Sequence, residues 1–117
     1  SFPRNVEYVG PLPFSEMPRF YNKADLIVLP SFTEGFPNAI LEAYACGKPV
    51  LVAREAFPEE LEVFGSATEV DKFESEIKVL KKSDLTAVGY RARAYVEKHF
   101  TWDNFSQSIV NYLKTAK

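Results

Sequence analysis

Apolar residues along the chain fall in short runs separated by Gly, Pro and charged positions, and the period of each run predicts its element. Val6-Glu7-Tyr8-Val9 predicts a first strand, ended by Gly10-Pro11. Ser15 can cap a helix whose first turn carries Glu16 and Pro18 and which runs to about Ala24. Leu26-Ile27-Val28-Leu29 is a continuous apolar run before Pro30, too short for a globular helix and β-branched enough for a buried strand. From Pro37 onward apolar residues recur at Ala39, Ile40, Ala43 and Tyr44, a helical stripe that Gly47 and Pro49 bring to a stop, so a helix is predicted over 37–46. Val50-Leu51-Val52-Ala53 is a third strand. A short helix is predicted over 58–64, stopped by Gly65, then an extended piece over 67–70. Further helices are expected over 73–81, over 85–98 and from about 103 to 115. Strands alternating with helices in this way imply parallel pairing and right-handed crossovers. The fold class is therefore α/β: a three-layer, Rossmann-like parallel sheet with flanking helices, with residues 1–117 as one domain.

Composition narrows the function classes. Hydrophobic residues make up 46% and charged residues 26%, an ordinary globular balance. The net charge of −2 argues against nucleic acid as a partner. No apolar run approaches the ~20 residues of a membrane span, and Ser1-Phe2-Pro3-Arg4 carries no signal-peptide pattern. A cytoplasmic location fits. Cys46 is the only cysteine, which excludes an internal disulfide, and between Ala45 and Gly47 it reads as a small buried residue. His99, the only histidine, lies near a helix C-terminus, where a cation suits the dipole. No Cys/His set has metal-ligand spacing, no Asp-x-Asp occurs, and no Gly-rich phosphate loop is present, so neither a metal nor a cofactor is expected. Glu59, Glu60 and Glu62, and likewise Lys78, Lys81 and Lys82, read as solvated helix faces. Tyr90, Tyr95, Phe100, Trp102, Phe105 and Tyr112 read as core and interface aromatics.

Candidate chemistry concentrates in residues 31–49. The strand ending at Leu29 leads through a loop containing Glu34 into the helix carrying Asn38 and Glu42, which are four apart and so share a face. Ligands of open α/β sheets bind at the carboxyl ends of the strands, where this loop lies. Unpaired N–H groups between Phe36 and Ala39, together with the helix dipole, favour an anion. A carboxylate accepting from a sugar hydroxyl contributes ~1.5–3 kcal/mol. Two carboxylates beside an anion site suit a polyol attached to a phosphate, the chemistry of a nucleotide-sugar. A glycosidase pair, with carboxylates ~5–9.5 Å apart, is compatible with the spacing. It leaves the helix N-terminus without an anion to bind, and it ranks lower.

The ordered set Leu29-Pro30-Ser31, Glu34-Gly35-Phe36-Pro37-Asn38, Leu41-Glu42-Ala43, Gly47-Lys48-Pro49-Val50, Pro58-Glu59 and Phe100-Thr101-Trp102 resembles the C-terminal, nucleotide-sugar-binding domain of GT-B fold retaining glycosyltransferases of family 4. Their motif of two glutamates separated by seven residues corresponds to Glu34 and Glu42. The resemblance implies the second half of a GT-B C-terminal domain. It implies that Glu34 approaches the donor sugar as the catalytic residue and that Glu42 holds the ribose hydroxyls. Backbone of Gly35, Phe36, Pro37 and Asn38 would lie against sugar and diphosphate, and the loop around Pro11 and Leu12 would flank the base. The implied donor is a nucleoside-diphosphate sugar. The implied acceptor is a sugar or lipid-linked glycan held by an N-terminal domain outside this chain, with the complete enzyme at a membrane surface.

Two departures matter. The family's Arg and Lys for the diphosphate precede Ser1, with Arg4 a weak stand-in, and Glu55-Ala56-Phe57 stands where relatives often carry glycines. The isolated chain is therefore expected to show little or no transferase activity, since a leaving diphosphate needs positive groups from more than one side. The strand at 6–9 is expected to be an exposed edge that pairs with a second copy in a homodimer. Two other readings stay open: a stand-alone module binding a sugar nucleotide or a protein partner without catalysis, and part of a sugar-nucleotide epimerase of similar fold.

Overall fold

The computed structural model describes residues 4–30 and 38–100. Strands β1 (Ile27–Leu29), β2 (Val50–Ala53) and β3 (Gly65–Thr68) form a parallel sheet in the order β1-β2-β3. The helices are α1 (Met17–Asn22), α2 (Asn38–Ala45), α3 (Phe73–Leu80) and α4 (Leu85–His99). The α/β class read from the sequence is thus the one observed.

Register explains the core. Ile27 pairs with Val50 and Leu29 with Val52, while Val52 pairs with Ala67. Alternate residues of a strand share a face, so Ile27, Leu29, Val50, Val52 and Ala67 form one apolar surface. Against it pack Tyr21 of α1, Ile40, Leu41, Ala43 and Tyr44 of α2, and Ala92 of α4. Leu51 points to the opposite face and is also fully buried, so both faces of the central strand are covered. That double burial is why 50–53 reads as an unbroken apolar run.

Two glycines hold α2 where the sheet needs it. The helix ends in a Schellman motif: the Lys48 N–H donates to the Ala43 carbonyl (2.9 Å) and the Gly47 N–H to the Tyr44 carbonyl (2.8 Å). Gly47 supplies the left-handed φ of +73° this requires. Across from it, a Cβ on Gly89 of α4 would run into the Gly47 carbonyl oxygen. Only a hydrogen there lets α4 cross against the end of α2. The helix α4 itself starts cleanly, with the Asp84 carboxylate accepting from the Ala87 N–H at 3.0 Å.

Several expectations are corrected. Residues 6–9 form no strand; Val6, Tyr8 and Val9 are exposed in irregular chain ahead of Gly10, whose φ is +77°. Strand propensity becomes a strand only through a paired neighbour, and the homodimer expected at that edge has no strand there to form it. Ser15 lies in a 3-10 turn over Phe14–Glu16, and α1 follows with Glu16 as an N-cap that makes no side-chain bond. A cap at Ser15 would look to the third following residue for an N–H, and Pro18 has none. Residues 58–64 are not a helix. A turn, with the Leu61 N–H donating to the Pro58 carbonyl (3.3 Å), leads into irregular chain, and Gly65 starts β3 instead of ending a helix. The phenol of Tyr44 donates to the Glu62 carbonyl and accepts from the Phe64 N–H, and a helix would have paired that N–H with the carbonyl of residue 60 instead. Tyr90 is 72% exposed, whereas Tyr95 and Phe100 pack on the core as expected. The expected helix from about 103 to 115 lies outside the described residues, as do Trp102, Phe105 and Tyr112.

Candidate functional site

Among the sequence-predicted site residues, the structure describes Asn38 and Glu42; Glu34, Gly35, Phe36 and Pro37 lie outside the described residues. Asn38 is the first residue of α2 and is exposed. Glu42 follows one turn later on the same face and is half-buried. Since α2 comes directly after β1 in a parallel sheet, its N-terminus stands at the carboxyl edge, where ligands of open α/β sheets bind.

Glu42 has an unusual setting for a surface carboxylate. It lines a cavity of about 140 Å³ between α1 and α2, together with Met17, Pro18, Tyr21, Ala45 and Cys46. Among the described residues its carboxylate forms no ion pair or hydrogen bond. Burial pushes its carboxyl above the usual range. A desolvated acceptor with no donor of its own is what a ligand hydroxyl would satisfy. Its charge reaches the neighbours: burial first, and then Glu42, raise both the Tyr21 phenol and the Cys46 thiol. Both therefore stay neutral at neutral pH, and Cys46 is a half-buried wall residue whose thiol is less reactive than a free one.

The sign of the Glu42 shift gives a first prediction. The folded chain holds the Glu42 proton more tightly than the unfolded chain does, so its contribution to stability falls as pH rises from the ordinary carboxylate range through the raised value. Glu42→Gln removes that slope. The melting temperature of the variant is expected to gain on the wild type at pH 7 and to converge with it below the carboxylate range. An equal gap at both pH values would mean that Glu42 is fully solvated.

Sequence reasoning missed the α1 side of this cavity. Met17, Pro18 and Tyr21 carried no chemical signal, and only the spacing of Cys46, four residues after Glu42, could have placed a second wall residue on the Glu42 face. His99 ends α4, exposed, with its ring 4.7 Å from that of Tyr95 and away from the cavity lining.

Comparison with known proteins decides the family. Residues 2–80 match the family model described as Glycosyl transferases group 1. This chain belongs to that family. Among curated relatives, the O-antigen chain mannosyltransferase B of Escherichia coli is 31% identical over 114 residues, covering 93% of this chain and 30% of that protein. The GDP-mannose-dependent monoacylated alpha-(1-6)-phosphatidylinositol monomannoside mannosyltransferase of Corynebacterium glutamicum is 28% identical over 127 residues, 96% of this chain and 33% of that one. The D-inositol 3-phosphate glycosyltransferase of Mycobacterium marinum is 29% identical over 120 residues, covering 95% and 26%. The chain thus spans about a third or less of the length of these relatives. Among the described residues of this group 1 glycosyltransferase chain, no helix is long and apolar enough to cross a membrane.

Proposed function

We propose that the chain is the donor-binding domain of a glycosyltransferase that moves a sugar, with retention, from a nucleoside diphosphate to an acceptor hydroxyl. The observation that carries this reading is the half-buried carboxylate of Glu42, raised by desolvation and without a donor among the described residues, one turn inside a helix that starts at the ligand edge of the sheet. Family membership supplies the reaction class. In this reading Glu42 accepts from the ribose hydroxyls, Asn38 and the amides of Gly35 and Phe36 meet sugar and diphosphate, Pro37 opens the helix, and Glu34 acts at the donor sugar. Two relatives named as mannosyltransferases, one of them GDP-mannose-dependent, favour a nucleoside diphosphate as carrier. A phosphatidylinositol mannoside in one relative's name favours a lipid-linked acceptor. The 117 residues alone then bind donor without turning it over. Transfer needs a second domain for the acceptor and further cations to stabilise the leaving diphosphate.

Calorimetric titration of the chain with GDP and with UDP tests this. Wild type is expected to bind at least one of them, and Glu42→Gln to weaken that binding by about 1.5–3 kcal/mol, roughly 10–150-fold, the worth of a hydrogen bond to a charged acceptor. Equal affinity in the two proteins would remove Glu42 from the site.

A further inference from the structure

The carboxyl edge of the sheet carries a second group of charges, at the ends of β2 and β3. Arg54 directly follows β2, and β3 ends at Thr68 and runs into Glu69 and then a 3-10 turn over Val70–Lys72. The rung between Ala53 and Thr68 sets the two strand ends side by side. Ala53 keeps an extended backbone (φ −68°, ψ 129°), so Arg54 continues the alternation of Val50 and Val52 onto the face on which α2 packs. Its guanidinium reaches β3 and donates to the Ala67 carbonyl at 3.3 Å. The Glu69 carboxylate accepts from the hydroxyl of buried Thr68 at 3.1 Å and lies 3.9 Å from the Lys72 ammonium. Its own N–H and the Thr68 hydroxyl, then the charges of Arg54 and Lys72, hold the Glu69 carboxyl below the usual range. Glu55 and Asp71 neighbour these cations in sequence but do not act on Glu69, so at that point one carboxylate faces two cations. Arg54 uses one of its several donors on Ala67, and the others stand exposed at the ligand edge.

The charge pattern selects the ligand. A carboxylate ligand would only replace Glu69, one single charge for another. A phosphate group brings more negative charge and several acceptor oxygens, so it can engage a guanidinium and an ammonium together. We propose that Arg54 and Lys72 form a phosphate-binding site at the ends of β2 and β3, with Glu69 as the counter-ion that holds both cations in place and that the phosphate displaces. The site shares an edge and a face of the sheet with the start of α2 but uses neither Glu42 nor the helix, so it goes beyond the donor contacts proposed above and does not depend on them. Its phosphate comes either from the donor diphosphate or from a phosphorylated acceptor.

Titration of the 117-residue chain with pyrophosphate, followed by amide NMR, tests the site. Shifts are expected at Arg54, Thr68, Glu69 and Lys72. Arg54→Gln should raise the Kd about tenfold, the low end for a hydrogen bond to a charged group, and Lys72→Gln about threefold, as for an exposed charge pair. Glu69→Gln removes the competing charge and should lower the Kd about threefold. A Glu69 with a merely structural role would not give tighter binding when replaced. Lys78→Gln, on an α3 lysine paired with Glu74, changes the net charge equally and should leave the Kd within about twofold. The site is overturned if pyrophosphate shifts none of the four residues, if Lys78→Gln weakens binding as much as Arg54→Gln, or if Glu69→Gln does not tighten it. GDP, UDP and glycerol 3-phosphate then identify the source. Nucleotide binding about tenfold weaker in Arg54→Gln assigns the site to the donor diphosphate. Unchanged nucleotide binding, with glycerol 3-phosphate shifting the four residues, assigns it to the acceptor. If neither nucleotide binds while pyrophosphate does, the donor-binding reading fails and this site stands.

Discussion

Replacing Tyr44 by Phe is expected to destabilise the chain by about 1–3 kcal/mol, and replacing it by Ala by about 3–5 kcal/mol. The phenol does two jobs with one oxygen. It donates to the Glu62 carbonyl at 3.0 Å and accepts from the Phe64 N–H at 3.1 Å. Removing the oxygen takes the side-chain partner from a part-buried backbone donor and a part-buried backbone acceptor at once, so the loss exceeds the mean worth of one hydrogen bond. The ring is fully buried and stands edge-on to Phe64, with centroids 5.3 Å apart. The Ala variant therefore adds a cavity to the broken clamp. Burial pushes the phenol up to about 12, the Phe64 N–H pulling only partly the other way, so the clamp is insensitive to pH across the neutral range. At about 4–8 °C per kcal/mol, the Phe variant should melt about 4–24 °C below wild type. Thermal unfolding followed by circular dichroism reads this. A shift under about 2 °C for Phe would show that water replaces the phenol at no cost. The consequence reaches the site, because Tyr44 lies two residues after Glu42 on α2. Whatever loosens the clamp loosens the helix that presents the carboxylate.

The Tyr44 clamp also explains which parts of the fold the sequence could announce. Residues 27–29, 38–45, 50–53, 73–80 and 85–99 carry their own period and turn signals, and there the expected elements lie within a residue or two of the observed ones. Residues 58–64 have a plausible helical pattern of their own. Their conformation is imposed from 18 and 20 residues away by one phenol, which no local window contains. Val6-Glu7-Tyr8-Val9 has strand composition, but strand formation depends on a neighbour as well as on composition. The candidate site shows the same division. That Glu42 and Asn38 share one face of α2 was legible because helix spacing is a local fact. The apolar wall from α1 became visible only when the fold brought Met17, Pro18 and Tyr21 opposite Glu42 and Cys46.

Gly65→Ala is expected to be more damaging than either Tyr44 variant, costing more than about 5 kcal/mol and leaving the chain largely unfolded at 25 °C. Gly65 opens β3 with φ of +127°, a backbone conformation that L side chains rarely adopt. A Cβ there would also be driven into the Val50 carbonyl oxygen, with the Val50 nitrogen 2.8 Å away. Those atoms belong to the fully buried central strand, and the Val50 N–H donates to the Phe64 carbonyl at 2.9 Å, so neither side can move without opening the parallel ladder. The other glycines set a scale. Gly47→Ala meets only the Gly89 carbonyl at 3.8 Å, an ordinary contact, and bears mainly the left-handed backbone, about 1–2 kcal/mol. Gly89→Ala has an unremarkable backbone, but its Cβ meets the Gly47 carbonyl. The helix α4 must then slide off the end of α2, which places Gly89→Ala between the two. Urea unfolding of the three variants should give the order Gly65, Gly89, Gly47. Gly65→Ala and Gly47→Ala losing equal stability would mean that the start of β3 relaxes away from Val50. If the order holds, Gly89→Ala becomes the informative variant for function: it disturbs the C-terminal turn of α2 just beyond Cys46 without touching the cavity wall. A change in Cys46 alkylation in that variant would show that packing of α4 sets the width of the cavity between α1 and α2.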